Sequence, residues 1–312
     1  MQSRRSLGHI PVMLEEVLFI MDPRDGDFIL DGTFGAGGYT AALLARNNSC
    51  RVVGIDRDEN VLEFAEDIKN TYGDRFKFYN IKFSDVSSVL RDGSLDGLVL
   101  DLGVSSMQLE NGQRGFSFDR EAGLLMTMGG NSLNAYDVVN VFSEKKIASI
   151  ISEYGDELRS RAIARKIFEH RKLKPIETTI ELAGVVRSCF WKRGKIDNAT
   201  RTFQAIRIFV NDELEELRTI LRNSINLLKS GGRLVVVSFN SLEDRIVKRF
   251  FIENGNIRSK KNNKYGIDAP KSSVEETAVF NVGSKKPMLP SGAEILRNPR
   301  SRSAKLRWGI KC

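Results

Sequence analysis

The chain has 312 residues, 41% of them hydrophobic and 28% charged, which allows a buried core in one large domain or two ordinary ones. No apolar run approaches the roughly 20 residues that cross a bilayer, and the basic N-terminus meets a short apolar segment, residues 13–18, interrupted by Glu15 and Glu16 rather than a signal-peptide core, so a cytoplasmic protein is expected. Three scattered cysteines (Cys50, Cys189, Cys312) and two histidines (His9, His170) argue against a disulfide framework, a metal centre and hydrolytic chemistry, while a formal charge of +8 favours a polyanionic partner.

Between residues 27 and 101, short β-rich runs at 28–30, 51–55, 76–79 and 98–100 alternate with segments of helical period. Their spacing predicts βαβ units and a parallel, doubly wound sheet. The next comparable strand, residues 233–239, comes only after a long interval, behind a helix stopped by Gly231 and Gly232. Within that interval residues 143–171 read as amphipathic helix (Ile147, Ile150, Ile151, Tyr154, Ile163, Ile167), and residues 178–189 as another. A helical insertion over residues 107–199 is therefore expected, interrupting a sheet domain formed by 1–106 and 200–312.

A helix over residues 202–228 is expected to return the chain to the sheet, burying Phe203, Ile206, Phe209 and Val210. Residues 257–271 are polar and lysine-rich and read as a mobile loop. The last stretch carries Lys285, Lys286, Arg297, Arg300, Arg302, Lys305 and Arg307 against the single acid Glu294, and ends in an edge strand over residues 304–308.

Residues 28–40, FILDGTFGAGGYT, run from a strand through a glycine-rich turn into a helix. Such a turn lets the backbone approach a nucleotide at the carboxyl edge of an open sheet. Asp56 ends the next strand, where it can accept hydrogen bonds from two ribose hydroxyls. These features fit a dinucleotide as well as S-adenosylmethionine. Asp31, ahead of the glycines, favours the latter, because a carboxylate suits the cationic methionine end better than a pyrophosphate; capping of the helix N-terminus is the other role open to it. Asp101, at the end of the fourth strand, stands where a carboxylate can accept an N–H from an amine and align its lone pair with the methyl group. Cytosine carbon-5 chemistry would require a cysteine nucleophile here, and none of the three is placed for it.

These motifs, together with residues 9–16, 101–109, 114–118 (RGFSF), 199–208 (ATRTFQAIRI), 241–248 (SLEDRIVK) and 298–307 (NPRSRSAKLR), resemble those of the bacterial small-subunit ribosomal RNA cytosine-N4 methyltransferases, the RsmH or MraW family, in order along nearly the whole chain. The resemblance implies a class I methyltransferase (Rossmann-like) domain with a helical insertion, acting on N4 of a cytidine in the decoding centre of 16S ribosomal RNA within the small subunit. It implies cofactor contacts at Gly37, Gly38, Tyr39, Asp56, Phe83, Asp101 and Gln108, with Phe83 stacking on adenine and Asp101 catalytic, and it asks for no metal. Tyr39 and Asn240 stand where the family has histidine, and Leu125 and Thr127 where it has an acid and an arginine; at Tyr39 a backbone contact suffices. Methylation of another RNA or DNA amine, or a non-catalytic RNA-binding assembly role, are the alternatives.

For the RNA, Arg114 and Arg201 flank the insertion and are expected to position the target. Arg159, Arg161, Arg165, Lys166, Arg171, Lys172 and Lys174, extended by Trp191, Lys192, Arg193 and Lys195, form a possible phosphate-binding face. Interspersed Glu153, Asp156, Glu157 and Glu169 offer the same cations intrahelical partners.

Overall fold

The β-rich runs form strands where the alternation places them: β1 (Phe28–Asp31), β2 (Arg51–Asp56), β3 (Phe76–Asn80) and β4 (Leu95–Asp101). The computed structural model describes residues 11–110, 112–130, 133–192, 194, 196–256 and 278–312. Val52, Val53, Ile55, Leu98, Val99 and Leu100 are at most 1% exposed, as parallel strands covered on both faces require. With β5 (Leu228–Ser238), β6 (Phe280–Val282) and β7 (Lys305–Lys311) they make a seven-stranded sheet in the order β3-β2-β1-β4-β5-β7-β6. The first five strands pair in parallel, and β7 is antiparallel to both β5 and β6. Strand order reverses between β1 and β4, and the crevice at the carboxyl end of such a switch point is where open α/β sheets bind ligands.

The helices, in chain order, are α1 (Leu14–Met21), α2 (Gly38–Arg46), α3 (Leu62–Tyr72), α4 (Ser106–Glu110), α5 (Ala135–Asn140), α6 (Glu144–Gly155), α7 (Ser160–Arg171), α8 (Thr179–Arg187), α9 (Thr200–Asn211), α10 (Glu213–Leu227), α11 (Ser241–Asn254) and α12 (Gly292–Arg297). The chain forms two compact units, one up to Gly103 together with Glu216–Cys312, the other Val104–Glu215. The second unit is helical, and its core gathers Ile147, Ile150, Ile151, Ile163 and Ile167 with Leu182, Phe203 and Ile206. Phe209 of α9 meets Phe142 and Tyr154 at ring-centroid distances of 5.9 Å each. Gly155 closes α6 against α9: a Cβ there would lie 2.7 Å from the Arg201 carbonyl oxygen.

Several elements differ from the sequence expectation. Residues 143–171 hold two helices, because Asp156 adopts φ +48° after Gly155. The single helix over 202–228 is likewise two, broken at Asp212 with φ +51°; aspartate is among the few residues that visit this left-handed region readily. The break is fixed from both sides, by the Arg207–Glu213 pair at 2.8 Å and by the Asn211 side chain, which bonds Met126 and Met128 backbone. Gly231 and Gly232 sit inside β5 rather than ending the helix, at a bulge where the β4 register shifts from Leu95↔Leu228 to Gly97↔Arg233. Finally, β7 is an inner strand, the short β6 covering it. Its cations look like edge protection in sequence, but Asp244 of α11 accepts from Lys305 Nζ at 3.1 Å and from Arg307 Nε at 2.7 Å. The expected loop over 257–271 lies outside the described residues.

Candidate active site

Three strands deliver carboxylates to the carboxyl edge of the sheet: Asp31 from β1, Asp56 from β2 and Asp101 from β4. Asp31 is fully buried, accepting the Thr40 hydroxyl at 2.7 Å and the Thr33 N–H at 3.3 Å. Burial raises its pKa to about 6 against the pull of those bonds, with the negative charge of Asp56 adding to the rise. Asp56 accepts the Asp58 and Gly35 N–H groups at 2.9 Å each, and burial lifts it to about 6 as well. Asp101 differs from both. Its Oδ1 is buried without a hydrogen-bond partner among the described residues, and burial, then Asp31 and Glu243, push its pKa well above the usual carboxylate range.

The glycine turn joins these acids. Gly35 and Gly37 take φ +52° and +76°, a region that glycine enters without strain. Gly37 is the N-cap of α2 with no side-chain cap, so the first N–H groups of the nine-residue helix have no side chain bonded at the cap. A Cβ at Gly38 would lie 2.4 Å from Pro11, so residues 11–13 run directly over the turn. Tyr39 is 3% exposed and its hydroxyl donates to the Val12 carbonyl; its side chain is committed to that segment, leaving the backbone to face a ligand.

Phe83 opens a 3-10 turn (Phe83–Ser88) after β3, half-buried against the sheet core, and its ring comes within 3.6 Å of where a Cβ on Gly32 would stand. Asn240 is the N-cap of α11: its Oδ1 accepts from Leu242 and Glu243 N–H at 3.0 Å each. Glu243 Oε2 in turn accepts the Asn240 N–H at 3.4 Å, completing a capping box, and also the Phe239 N–H at 2.9 Å. Motif reading passed over Thr33, Thr40 and Glu243. The Asn-x-x-Glu spacing announces the last of these, but only the fold brings the threonine hydroxyls to Asp31 and to the Asp101 N–H, which Thr33 Oγ1 accepts at 2.6 Å.

The helical unit holds the remaining predicted residues. Gln108 is 5% exposed and its Oε1 accepts from Ser105 N–H at 2.9 Å, fixing the turn into α4. Arg114 donates to the Thr127 carbonyl at 2.7 Å and its guanidinium lies 5.2 Å from the Phe116 ring. Arg201 is exposed, donating to the Asp156 carbonyl at 3.2 Å, with Glu157 at 3.8 Å. Several cations of the expected phosphate-binding face are engaged within the unit itself. Arg171 donates to the Val139 and Phe142 carbonyls at 2.6 and 2.5 Å, Lys174 pairs with Glu181 at 3.1 Å, and Arg159 stacks over Phe190. Trp191 is 95% exposed, while Arg193 and Lys195 lie outside the described residues.

The sheet order and the carboxylate-lined switch point define a Rossmann-like, class I methyltransferase domain. A family model described as the MraW methylase family matches residues 6–311. The chain is 50% identical over 304 residues to ribosomal RNA small subunit methyltransferase H of Rickettsia akari (strain Hartford), covering 97% of this chain and 98% of that protein. It is 49% identical over 305 residues to the protein of that name from Rickettsia felis, again covering 97% and 98%. A solved rRNA methylase from Streptococcus thermophilus aligns over 98% of this chain and 99% of its own, at 11% identity and a TM-score of 0.43. The chain belongs to the MraW methylase family. No helix among the described residues is long and apolar enough to cross a membrane, and no group of three or more His, Cys, Asp or Glu side chains among them could hold a metal ion.

Proposed function

We propose that this protein transfers the methyl group of S-adenosylmethionine to N4 of a cytidine in the decoding centre of 16S ribosomal RNA, acting in the cytoplasm on the small subunit. The observation that carries the reading is the buried Oδ1 of Asp101 at the carboxyl end of β4, which has no hydrogen-bond partner among the described residues. An acceptor left without a partner there is destabilising unless a donor arrives with the ligands, and an exocyclic amine N–H is such a donor.

The residues present fit the cofactor. Two cationic groups, a sulfonium and an ammonium, suit an edge lined by three carboxylates, and the α2 N-terminus suits the cofactor carboxylate. Asp56 would receive the ribose hydroxyls, Phe83 the adenine face, and the backbone of Gly37, Gly38 and Tyr39 the methionine end. Gln108 holds the turn that follows β4. When bound, S-adenosylmethionine supplies an electrophilic methyl carbon. Asp101 accepts one amine hydrogen and so points the nitrogen lone pair along the line of attack; alignment of this kind is the main gain available to methyl transfer. Arg114 and Arg201 hold the RNA in the helical unit, residues 107–199 serving as its recognition domain with α9 beside them.

The test is transfer of a labelled methyl group from S-adenosylmethionine to small ribosomal subunits that lack the modification, followed by nucleoside analysis. N4-methylated cytidine with the wild-type protein, and none with Asp101→Ala while that variant still binds cofactor, is the expected result. Cofactor binding without transfer to any subunit or RNA preparation would overturn it.

A further inference from the structure

The sheet unit carries a basic segment that the cofactor site does not use. β7 runs antiparallel to β5, pairing Lys305 with Ser238 and Leu306 with Val237, and Val237 pairs on its other side with Asp101. The start of β7 therefore lies at the carboxyl edge, two strands from Asp101, about 10 Å at the usual spacing between strands. Two stretches of chain converge on that point. α12 and the 3-10 turn Pro299–Ser303 lead directly into it, and on the other side Met288 bridges to Leu306 while the Lys285 carbonyl accepts from Arg307 at 3.2 Å.

The charge in these stretches is one-sided. Residues 285–302 hold Lys285, Lys286, Arg297, Arg300 and Arg302 and only one acid, Glu294. That acid is already occupied, its Oε1 accepting the Met13 N–H at 2.5 Å. Lys305 and Arg307 are different, both engaged by Asp244. Lys286, Arg297 and Arg302 are exposed, and none of the three has a carboxylate partner among the described residues. An ordinary solvated face mixes both signs of charge; a run of unpaired cations beside a catalytic edge matches the backbone of a nucleic acid. The Glu294–Met13 bond also fastens α12 to the segment that passes over Gly38, so the cations are held on structure shared with the glycine turn.

We propose that residues 285–302 form a phosphate-contacting lip that grips the RNA backbone beside the target nucleotide, with Lys286, Arg297 and Arg302 as its principal contacts. The proposal rests on the RNA reading above and adds a second place where RNA is held, on the sheet unit itself.

The experiment compares the protein with its triple variant Lys286→Gln, Arg297→Gln, Arg302→Gln, titrating a labelled RNA of the small-subunit decoding region between about 50 and 200 mM salt, where each phosphate contact contributes a slope of roughly 0.7–0.9. The expected result is a slope of log affinity against log salt smaller by about 2 to 3, with at least about tenfold weaker binding at the low-salt end and an unchanged dissociation constant for S-adenosylmethionine. The charge-conserving variant Lys286→Arg, Arg297→Lys, Arg302→Lys is expected to restore the wild-type slope. Equal slopes for wild type and triple variant, or a lysine–arginine exchange that fails to restore binding while cofactor affinity is intact, would overturn the lip and leave the RNA reading standing. Failure of the wild-type protein to bind or methylate RNA would overturn both.

Discussion

The Thr40 hydroxyl donates to the Asp31 carboxylate at 2.7 Å, joining the first turn of α2 to the end of β1. Asp31 is 0% exposed, so this bond and the one from Thr33 hold a buried acid in place. Thr40→Val keeps the shape and removes the donor, and is expected to lower stability by about 1–3 kcal/mol. The loss should be larger at pH 7.5 than at pH 5, since the bond is charge-assisted only once Asp31 has ionised. Urea unfolding at the two pH values measures it, and equal losses would contradict this account.

Asp31 also sets a pH dependence. Its native pKa of about 6 stands above the ordinary 3.8, so between these values the folded protein keeps a proton that the unfolded chain has released. Its contribution to stability is therefore present at low pH and falls as pH rises through this window, by up to about 3 kcal/mol. Relative to Asp31→Asn, the wild type should lose stability from pH 4.5 to 7. A constant difference between the two proteins across that range would refute the raised pKa.

Cofactor affinity should move the other way. A cationic ligand favours the ionised forms of Asp31 and Asp56, both near pKa 6 without it. Binding is thus expected to release protons and to weaken as pH falls below about 6, by at most about tenfold per pH unit for each group. Calorimetry in buffers of different ionisation enthalpy counts the protons directly.

Asp56→Ala removes the acceptor proposed for ribose and the bond that Gly35 makes to it at 2.9 Å. A 10- to 100-fold weaker affinity for S-adenosylmethionine is expected, about 1.5–3 kcal/mol. An unchanged dissociation constant in the folded variant would dismiss Asp56 from the site.

Asn240 gives a test of a different kind. As the N-cap of α11, with two N–H groups on its Oδ1, it should cost about 1 kcal/mol on replacement by alanine and little on replacement by aspartate. Methyl transfer per folded molecule should survive both changes. A loss of turnover out of proportion to stability would give Asn240 a part in the reaction.

The strands β1 to β4, and the acids that end β1, β2 and β4, were legible in the sequence because the alternation of β-rich and helical segments is local and strong. Gly155 and Asp212 were not, since apolar periodicity runs through both, and only tertiary contacts decide that the chain turns there: the approach of the Arg201 carbonyl in one case and the bonds of the Asn211 side chain to the Met126 and Met128 backbone in the other. β7 reads as an edge strand in sequence, since Asp244, the acid that engages Lys305, is 61 residues away from it. The family motifs located Tyr39 and Asn240 as departures but not what replaces the histidines. Tyr39 anchors residues 11–13, 27 positions away in sequence, whereas Asn240 caps a helix through the N–H groups of Leu242 and Glu243 beside it.

The discontinuous sheet unit has a consequence for the order in which the protein takes shape during synthesis. β4 and β5 lie side by side, yet the whole of Val104–Glu215 is made between them, and β7, which completes the inner sheet, emerges after every other strand. The helical unit is one continuous stretch and can close its core as soon as it has left the ribosome. Until β7 arrives, β5 presents a bare strand to its surroundings. A nascent chain would thus hold a finished helical unit and an open sheet at once, and the seven residues of β7 would seal both the fold and its most adhesive edge.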